Sequence, residues 1–153
     1  TRQAYPATQF SVAEAGTLQI EFRMLSKSTG KDHYAKTSER VFDILREIEP
    51  SNGLYPTTVR AANGAVNFSS RLLTFGAMAD SFYEYMLKLW LQGGKKESKY
   101  REMYDHAMQG MHDELVQVSS PSKLVFLTNK NGNNLVTKMD HLACFMGGLL
   151  ALD

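Results

Sequence analysis

The feature that most restricts the fold is a repeat: two helical segments, then a turn-rich, β-prone stretch, then the same order again. In the first unit, Ser11-Val12-Ala13-Glu14 has capping-box form, with Ser at N-cap and Glu three residues on. Val12, Ala15, Leu18, Phe22 and Leu25 follow at helical spacing, and Gly30 ends the run. A second helix is predicted from about Asp32 to Glu49, with Ala35, Ser38, Val41, Phe42, Leu45 and Ile48 as its stripe and Pro50 as its stop. Gly53-Leu54-Tyr55-Pro56 and Asn63-Gly64 then punctuate short β-prone runs, which predicts an irregular β-hairpin. In the second unit a helix is predicted from about Gly76 to Gln92, ending at Gly93-Gly94. Another runs from about Ser98 to Val118, with Tyr104, Ala107, Met111, Leu115 and Val118 on one face. Val125-Phe126-Leu127 and Leu135-Val136 flank Asn131-Gly132-Asn133-Asn134, a second hairpin-like excursion. A fifth helix begins near Asp140, and residues 1–10 read as loop. Gly30-Lys31 corresponds to Gly94-Lys95 between the units.

Such a repeat predicts an all-α array with short hairpins between helix pairs. If alternate helices form an inner layer, the first, third and fifth run parallel, and their N-terminal ends lie together. Those ends carry Glu14, Asp80 and Asp140-His141. Two acids, an Asp-His pair and nearby aromatics suit a carbohydrate or acid–base site.

Each of these residues also has a local structural reading. Asp80 stands where an aromatic helix begins (Ala79, Phe82, Tyr83, Met86 and Trp90 share a face), so N-capping explains it as a single residue. Glu14 is the capping-box partner of Ser11, and Glu84 stands four before Lys88, the spacing of a helical ion pair. Phe82, Tyr83, Tyr85 and Trp90 read as core rather than as a sugar platform. His33, His106 and His112 lack metal-ligand spacing, and His141 with Cys144 supplies two ligands where zinc needs four. Cys144 lies among Phe145, Met146 and Leu149 and reads as a buried small hydrophobe, and Gly147-Gly148 reads as close helix packing. Asn67-Phe68-Ser69 has the N-glycosylation pattern, which favours a secretory location.

A length of 153 residues suits one domain with a core. The net charge of +1 gives no nucleic-acid or membrane-surface footprint, and the single cysteine excludes an internal disulfide. No signal peptide is recognisable, and no apolar run approaches the roughly 20 residues that span a bilayer. The chain opens on Thr1 and closes on Asp153 just after an apolar run, so both ends are expected to be cut from a longer chain.

Four motifs in order, AEAGTLQIEF at 13–22, NGLYP at 52–56, FGAMADSFYEYMLKLWLQGGK at 75–95 and KMDHLACFMGGLLAL at 138–152, resemble class I α1,2-mannosidases, family 47 of the glycoside hydrolases. The resemblance implies an (α/α)7 barrel, of which 1–153 would be a part of one catalytic domain, incomplete at both ends. It implies Ca2+-dependent, inverting removal of α1,2-linked mannose from high-mannose N-glycans in the endoplasmic reticulum or Golgi. By the same resemblance Asp80 looks like the catalytic aspartate of the ADS-YEY motif, and Glu14 like the substrate-contacting glutamate of AE-GT. His141 looks like the histidine that lines the sugar pocket near the ion, with Asp140 supporting it. Any membrane attachment would come from an anchor outside this stretch.

Two departures matter. The family's other catalytic carboxylates and its Ca2+-binding threonine lie in motifs beyond this stretch, so the stretch alone is expected to be inactive and to hold no metal ligand. Endoplasmic reticulum members also carry an arginine, which contacts the oligosaccharide, where this chain has Met78. Branch preference therefore stays open. Two further readings stand beside the enzyme: a mannosidase-like lectin that binds trimmed glycans in quality control, and a helical-repeat scaffold without chemistry.

Overall fold

The computed structural model describes residues 8–153; residues 1–7 of the predicted N-terminal loop lie outside the described residues. Strand β1 (Thr8–Ser11) runs straight into helix α1 (Val12–Gly16), followed by α2 (Gln19–Thr29) and α3 (His33–Glu47). Strands β2 (Thr58–Ala62), β3 (Ala65–Phe68) and β4 (Leu72–Leu73) lead to α4 (Asp80–Gln92) and α5 (Ser98–Glu114). Strands β5 (Val116–Val118), β6 (Val125–Leu127), β7 (Asn129–Asn131) and β8 (Asn134–Val136) precede a 3₁₀ helix (His141–Phe145) and α6 (Met146–Leu152).

The repeat is visible as two helical hairpins, α2 packed on α3 and α4 packed on α5. Both first helices end where Gly30 (φ 70°) and Gly94 (φ 67°) take the left-handed conformation that stops a helix at little cost. Three small antiparallel sheets accompany the helices: β1-β2-β3, β4-β7-β8 and β5-β6. The Asn63-Gly64 turn joins β2 to β3 as predicted, with φ of 53° and 79°, the left-handed pair that fits a two-residue hairpin loop.

Several expected boundaries move, each for a local reason. Residues 8–10, read as loop, pair with β2, Phe10 facing Val59 and Thr8 facing Ala61. The single helix expected from Ser11 to Gly30 is two, because side chains take the backbone acceptors at the break. Thr17 Oγ1 donates to the Ala13 carbonyl at 2.6 Å, and Gln19 Nε2 donates to that of Ala15 at 2.9 Å. Helix α5 ends at Glu114 rather than Val118, because Thr128 N donates to the Leu115 carbonyl and the chain enters the β5-β6 ladder. Residues 125–127 thus pair with 116–118, while the Gly132 turn joins β7 to β8.

The core lies where the aromatic face of α4 meets its neighbours. Phe82, Tyr83, Met86 and Leu89 are fully buried together with Phe42, Tyr55, Tyr100 and Tyr104. Phe82 stacks on Phe42 at 5.3 Å and meets Tyr55 edge-on at 4.9 Å. Tyr83 stacks on Phe75 at 4.1 Å, and its hydroxyl accepts from Tyr55 N at 2.9 Å, which ties the NGLYP segment to α4. Glu84 pairs with Lys88 at 2.6 Å, as its spacing predicts. Two sequence expectations fail at the C-terminal end. Cys144 is exposed because it lies on the outer side of the 3₁₀ helix, whose Ala143 faces the core. The Gly147-Gly148 pair makes no close helix contact among the described residues, since a Cβ at either position would meet no atom of another segment within 4 Å.

Arg23 knits the two hairpins together. Its guanidinium donates to Glu97 at 2.7 and 2.9 Å, to Glu39 at 2.5 Å and to the Tyr100 hydroxyl at 3.2 Å. Burial disfavours its charge, but the bonds to Glu97 and Glu39 outweigh that, and its pKa stands above the usual value.

Helix α1 approaches α4 closely because Gly16 has no side chain: a Cβ there would lie 2.3 Å from Cδ2 of Phe82. Phe82 is fully buried and cannot swing aside. Gly16→Ala is therefore expected to cost about 1–3 kcal/mol of stability in the full-length protein, the range for overpacking a filled core. Chemical denaturation checks this; an unchanged midpoint would show that the helices separate freely.

Candidate active site

The loop 74–79 before α4 is the centre of the site, and it is pinned from three sides. Thr74 is buried; its hydroxyl accepts from Gly76 N at 2.8 Å and donates to Asn129 Oδ1 at 2.6 Å. Phe75 and Ala79 are buried on the core side, while Met78 is 48% exposed on the other. Met78 takes φ 75°, in the left-handed region that costs a non-glycine residue about 1 kcal/mol or more. That conformation turns its carbonyl to accept from Ala13 N at 3.1 Å. Ala79 N and Asp80 N both donate to the Gly76 carbonyl, at 3.2 and 3.0 Å, which closes the turn into α4.

These bonds bring the expected residues into one region. The Ala13–Met78 bond joins the residue before Glu14 to the loop that ends at Asp80. On the opposite side Gly76 lies under Asp140: a Cβ on Gly76 would stand 2.5 Å from the Asp140 Cβ and 2.7 Å from its Oδ2. The starts of α1, α4 and the 3₁₀ helix therefore meet around residues 76–80, with Glu14, Met78, Asp80, Asp140 and His141 among them.

Their side chains are committed to different degrees. Asp80 is not the N-cap expected from its sequence position. Ala79 occupies that position, and among the described residues no side chain makes a cap hydrogen bond to the helix. Asp80 is the first helical residue, half-buried, and its carboxylate makes no hydrogen bond to the described residues. It sits at the positive end of the α4 dipole. Glu14 is the capping-box partner, as predicted: Ser11 N and Ser11 Oγ both donate to its Oε2 at 3.0 Å, and Glu14 N donates to Ser11 Oγ at 3.1 Å. Those bonds from Ser11 hold its pKa below the ordinary carboxylate value, so Glu14 is anionic at neutral pH. Among the described residues the second oxygen, Oε1, has no hydrogen-bond partner, and the side chain is exposed.

Asp140 caps the 3₁₀ helix, its Oδ1 accepting from Leu142 N at 3.0 Å. His141 is the most open of the set, its side chain 91% exposed and its Nδ1 3.6 Å from Asp140 Oδ1. At that distance the pair makes no hydrogen bond. Among the described residues no group of three or more His, Cys, Asp or Glu is placed to hold a metal ion.

Sequence reasoning passed over Gly16, Gly76 and Thr74, which shape the approach of α1, Asp140 and Asn129 to the loop before α4 and to α4 itself. The glycines stand in two of the quoted motifs, but the Phe82 and Asp140 side chains that they admit are 66 and 64 residues away in the chain, and spacing does not reveal them.

The sequence model of glycosyl hydrolase family 47 matches residues 1–153. The chain is 45% identical over 143 residues to a mannosyl-oligosaccharide 1,2-alpha-mannosidase of Arabidopsis thaliana, covering 92% of this chain and 25% of that protein. It is 43% identical over 145 residues to the corresponding Candida albicans protein, covering 93% of this chain and 25% of the relative. It is 39% identical over 143 residues to the human endoplasmic reticulum mannosyl-oligosaccharide 1,2-alpha-mannosidase, covering 93% of this chain and 20% of the relative. An alpha-1,2-mannosidase structure from Trichoderma reesei superposes with a TM-score of 0.85 at 28% identity, over 97% of this chain and 31% of that one. The chain thus spans about a quarter of the length of the curated relatives it matches. With the motifs, the helical hairpins and the convergent helix starts, these matches establish that the chain belongs to glycosyl hydrolase family 47.

Proposed function

We propose that the chain is one wall of the catalytic domain of an α1,2-mannosidase, which removes terminal α1,2-linked mannose from high-mannose N-glycans in the endoplasmic reticulum or Golgi lumen. The observation that carries this reading is the match of family 47 along residues 1–153. Relatives named as mannosyl-oligosaccharide 1,2-alpha-mannosidases extend it to the reaction. The complete domain is an (α/α)7 barrel in this reading. In support, Met139, Leu142, Leu150 and Leu152 near the C-terminal end are each exposed, apolar side chains suited to burial against further helices.

The chemistry is inverting hydrolysis, in which one carboxyl group protonates the leaving oxygen and another activates a water on the opposite face of the sugar. Asp80 supplies one of these groups. Its carboxylate is uncommitted to the helix cap, and the pinned loop before it fixes its position. Glu14, held anionic by Ser11, receives a sugar hydroxyl on its free Oε1. His141 and Asp140 flank the sugar from the 3₁₀ helix. The partner carboxylate and the threonine that binds Ca2+ lie outside residues 1–153, so the chain by itself releases no mannose. Bound Ca2+ would order sugar hydroxyls.

Asp80→Asn in the full-length protein is expected to lower turnover at least about a hundredfold, the scale of general acid–base contributions, with a near-normal melting temperature. Normal turnover in the folded variant would remove Asp80 from the mechanism. The left-handed Met78 presents an apolar side chain beside Asp80, where arginine would offer a fixed fork of donors to sugar hydroxyls. Met78→Arg is expected to narrow the set of branches cleaved. Profiling of oligomannose isomers checks this, and an unaltered order of mannose removal would contradict it.

A further inference from the structure

We infer that Asn67 is an N-glycan acceptor carried on the open face of the β1-β2-β3 sheet. The chain has one Asn-X-Ser/Thr tripeptide, Asn67-Phe68-Ser69, and nothing in the proposed mannosidase chemistry uses it. Its residues alternate across strand β3 and its end. Val66 and Phe68 turn inward, Phe68 meeting the buried Tyr55 edge-on at 6.0 Å, while Ala65 and Asn67 are exposed. Ser69 is exposed beyond the strand, two residues from Asn67 and on the same side.

The middle residue of the tripeptide is therefore the one turned toward the core and partly buried, while Asn67 and Ser69, which the modification needs, are both exposed. The Asn67 amide makes no hydrogen bond to the described residues, so substituting its nitrogen breaks none. Opposite it on β2 stands Arg60, also exposed. β3 is an edge strand of its sheet, and a glycan on it would block pairing with another chain.

The reaction takes a lipid-linked pyrophosphoryl oligosaccharide as donor. The Asn67 amide nitrogen forms a bond to the sugar C1, the bond from C1 to the pyrophosphate oxygen breaks, and the nitrogen gives up a proton. The inference rests on the secretory location given under the proposed function, and two arms separate the failures. The full-length protein is expressed in eukaryotic cells with its own targeting and, in parallel, behind a secretory leader, and the peptide containing residue 67 is read by mass spectrometry. Behind the leader, the peptide is expected to carry a glycan, and peptide-N-glycosidase is expected to leave Asp at position 67. Asn67→Gln and Ser69→Ala should each abolish the modification without changing mannosidase turnover. An unmodified Asn67 behind the leader in secreted, active protein overturns the inference. Modification behind the leader but not with native targeting supports the acceptor and overturns the secretory location instead.

Discussion

The contact of Gly16 with the Phe82 ring is the constraint on which the rest of the arrangement depends. Only an absent side chain lets α1 lie this close to α4, where a Cβ would fall 2.3 Å from the ring. With the helices at that distance, Ala13 N reaches the Met78 carbonyl and Val12 N reaches the Thr57 carbonyl at 3.0 Å. The first-turn amides of α1 are thereby satisfied by segments up to 65 residues away in sequence, and Glu14 is set beside the loop that holds Asp80. A second glycine does the same on the other side, where Gly76 admits the Asp140 side chain. Both are backbone approaches with no tolerance for one carbon atom. This gives a physical reason for glycine within the AEAGT and FGAMADS segments.

The structure also separates two kinds of acid that look alike in sequence. Glu14 and Asp140 spend oxygens on helix starts, and Asp80 does not. A carboxylate in the first turn that leaves the cap to its neighbour is an exception to the usual economy of helix ends, where such oxygens satisfy unpaired amides. The Asp80 N–H is instead bonded to the Gly76 carbonyl, and the left-handed Met78 is part of the turn that makes this possible. Strain at Met78 and an uncommitted acid two residues later belong to one local geometry, the pattern expected where a site is held in place by the fold around it.

Much of this was legible in the sequence. The helical hairpins, the glycine stops and the Asn63-Gly64 turn follow from periodicity and turn chemistry, and the capping box at Ser11 appears as written. The repeat also led to the grouping of Glu14, Asp80 and Asp140-His141. What stayed hidden had no local signature. The break at Thr17 comes from side chains competing for carbonyls, and the shift of the α4 start from a left-handed methionine that no propensity favours. The β5-β6 ladder replaced the last turn of α5 because a partner strand was available in space. Apolar sequence neighbours suggest burial for Cys144, and a glycine pair suggests close helix packing at Gly147-Gly148, but these positions lie on the open side of the terminal helices.

The central claim is that the starts of α1, α4 and the 3₁₀ helix form one sugar-binding site with Asp80 at its reactive centre. A crystal structure of the full-length protein with a non-hydrolysable α1,2-linked dimannoside tests it most directly. The sugar is expected over residues 76–80, with the Asp80 carboxylate within hydrogen-bond reach of the scissile linkage directly or through one water, and Glu14 on a sugar hydroxyl. A dimannoside bound elsewhere, with Asp80 and Glu14 both facing bulk solvent, would contradict it.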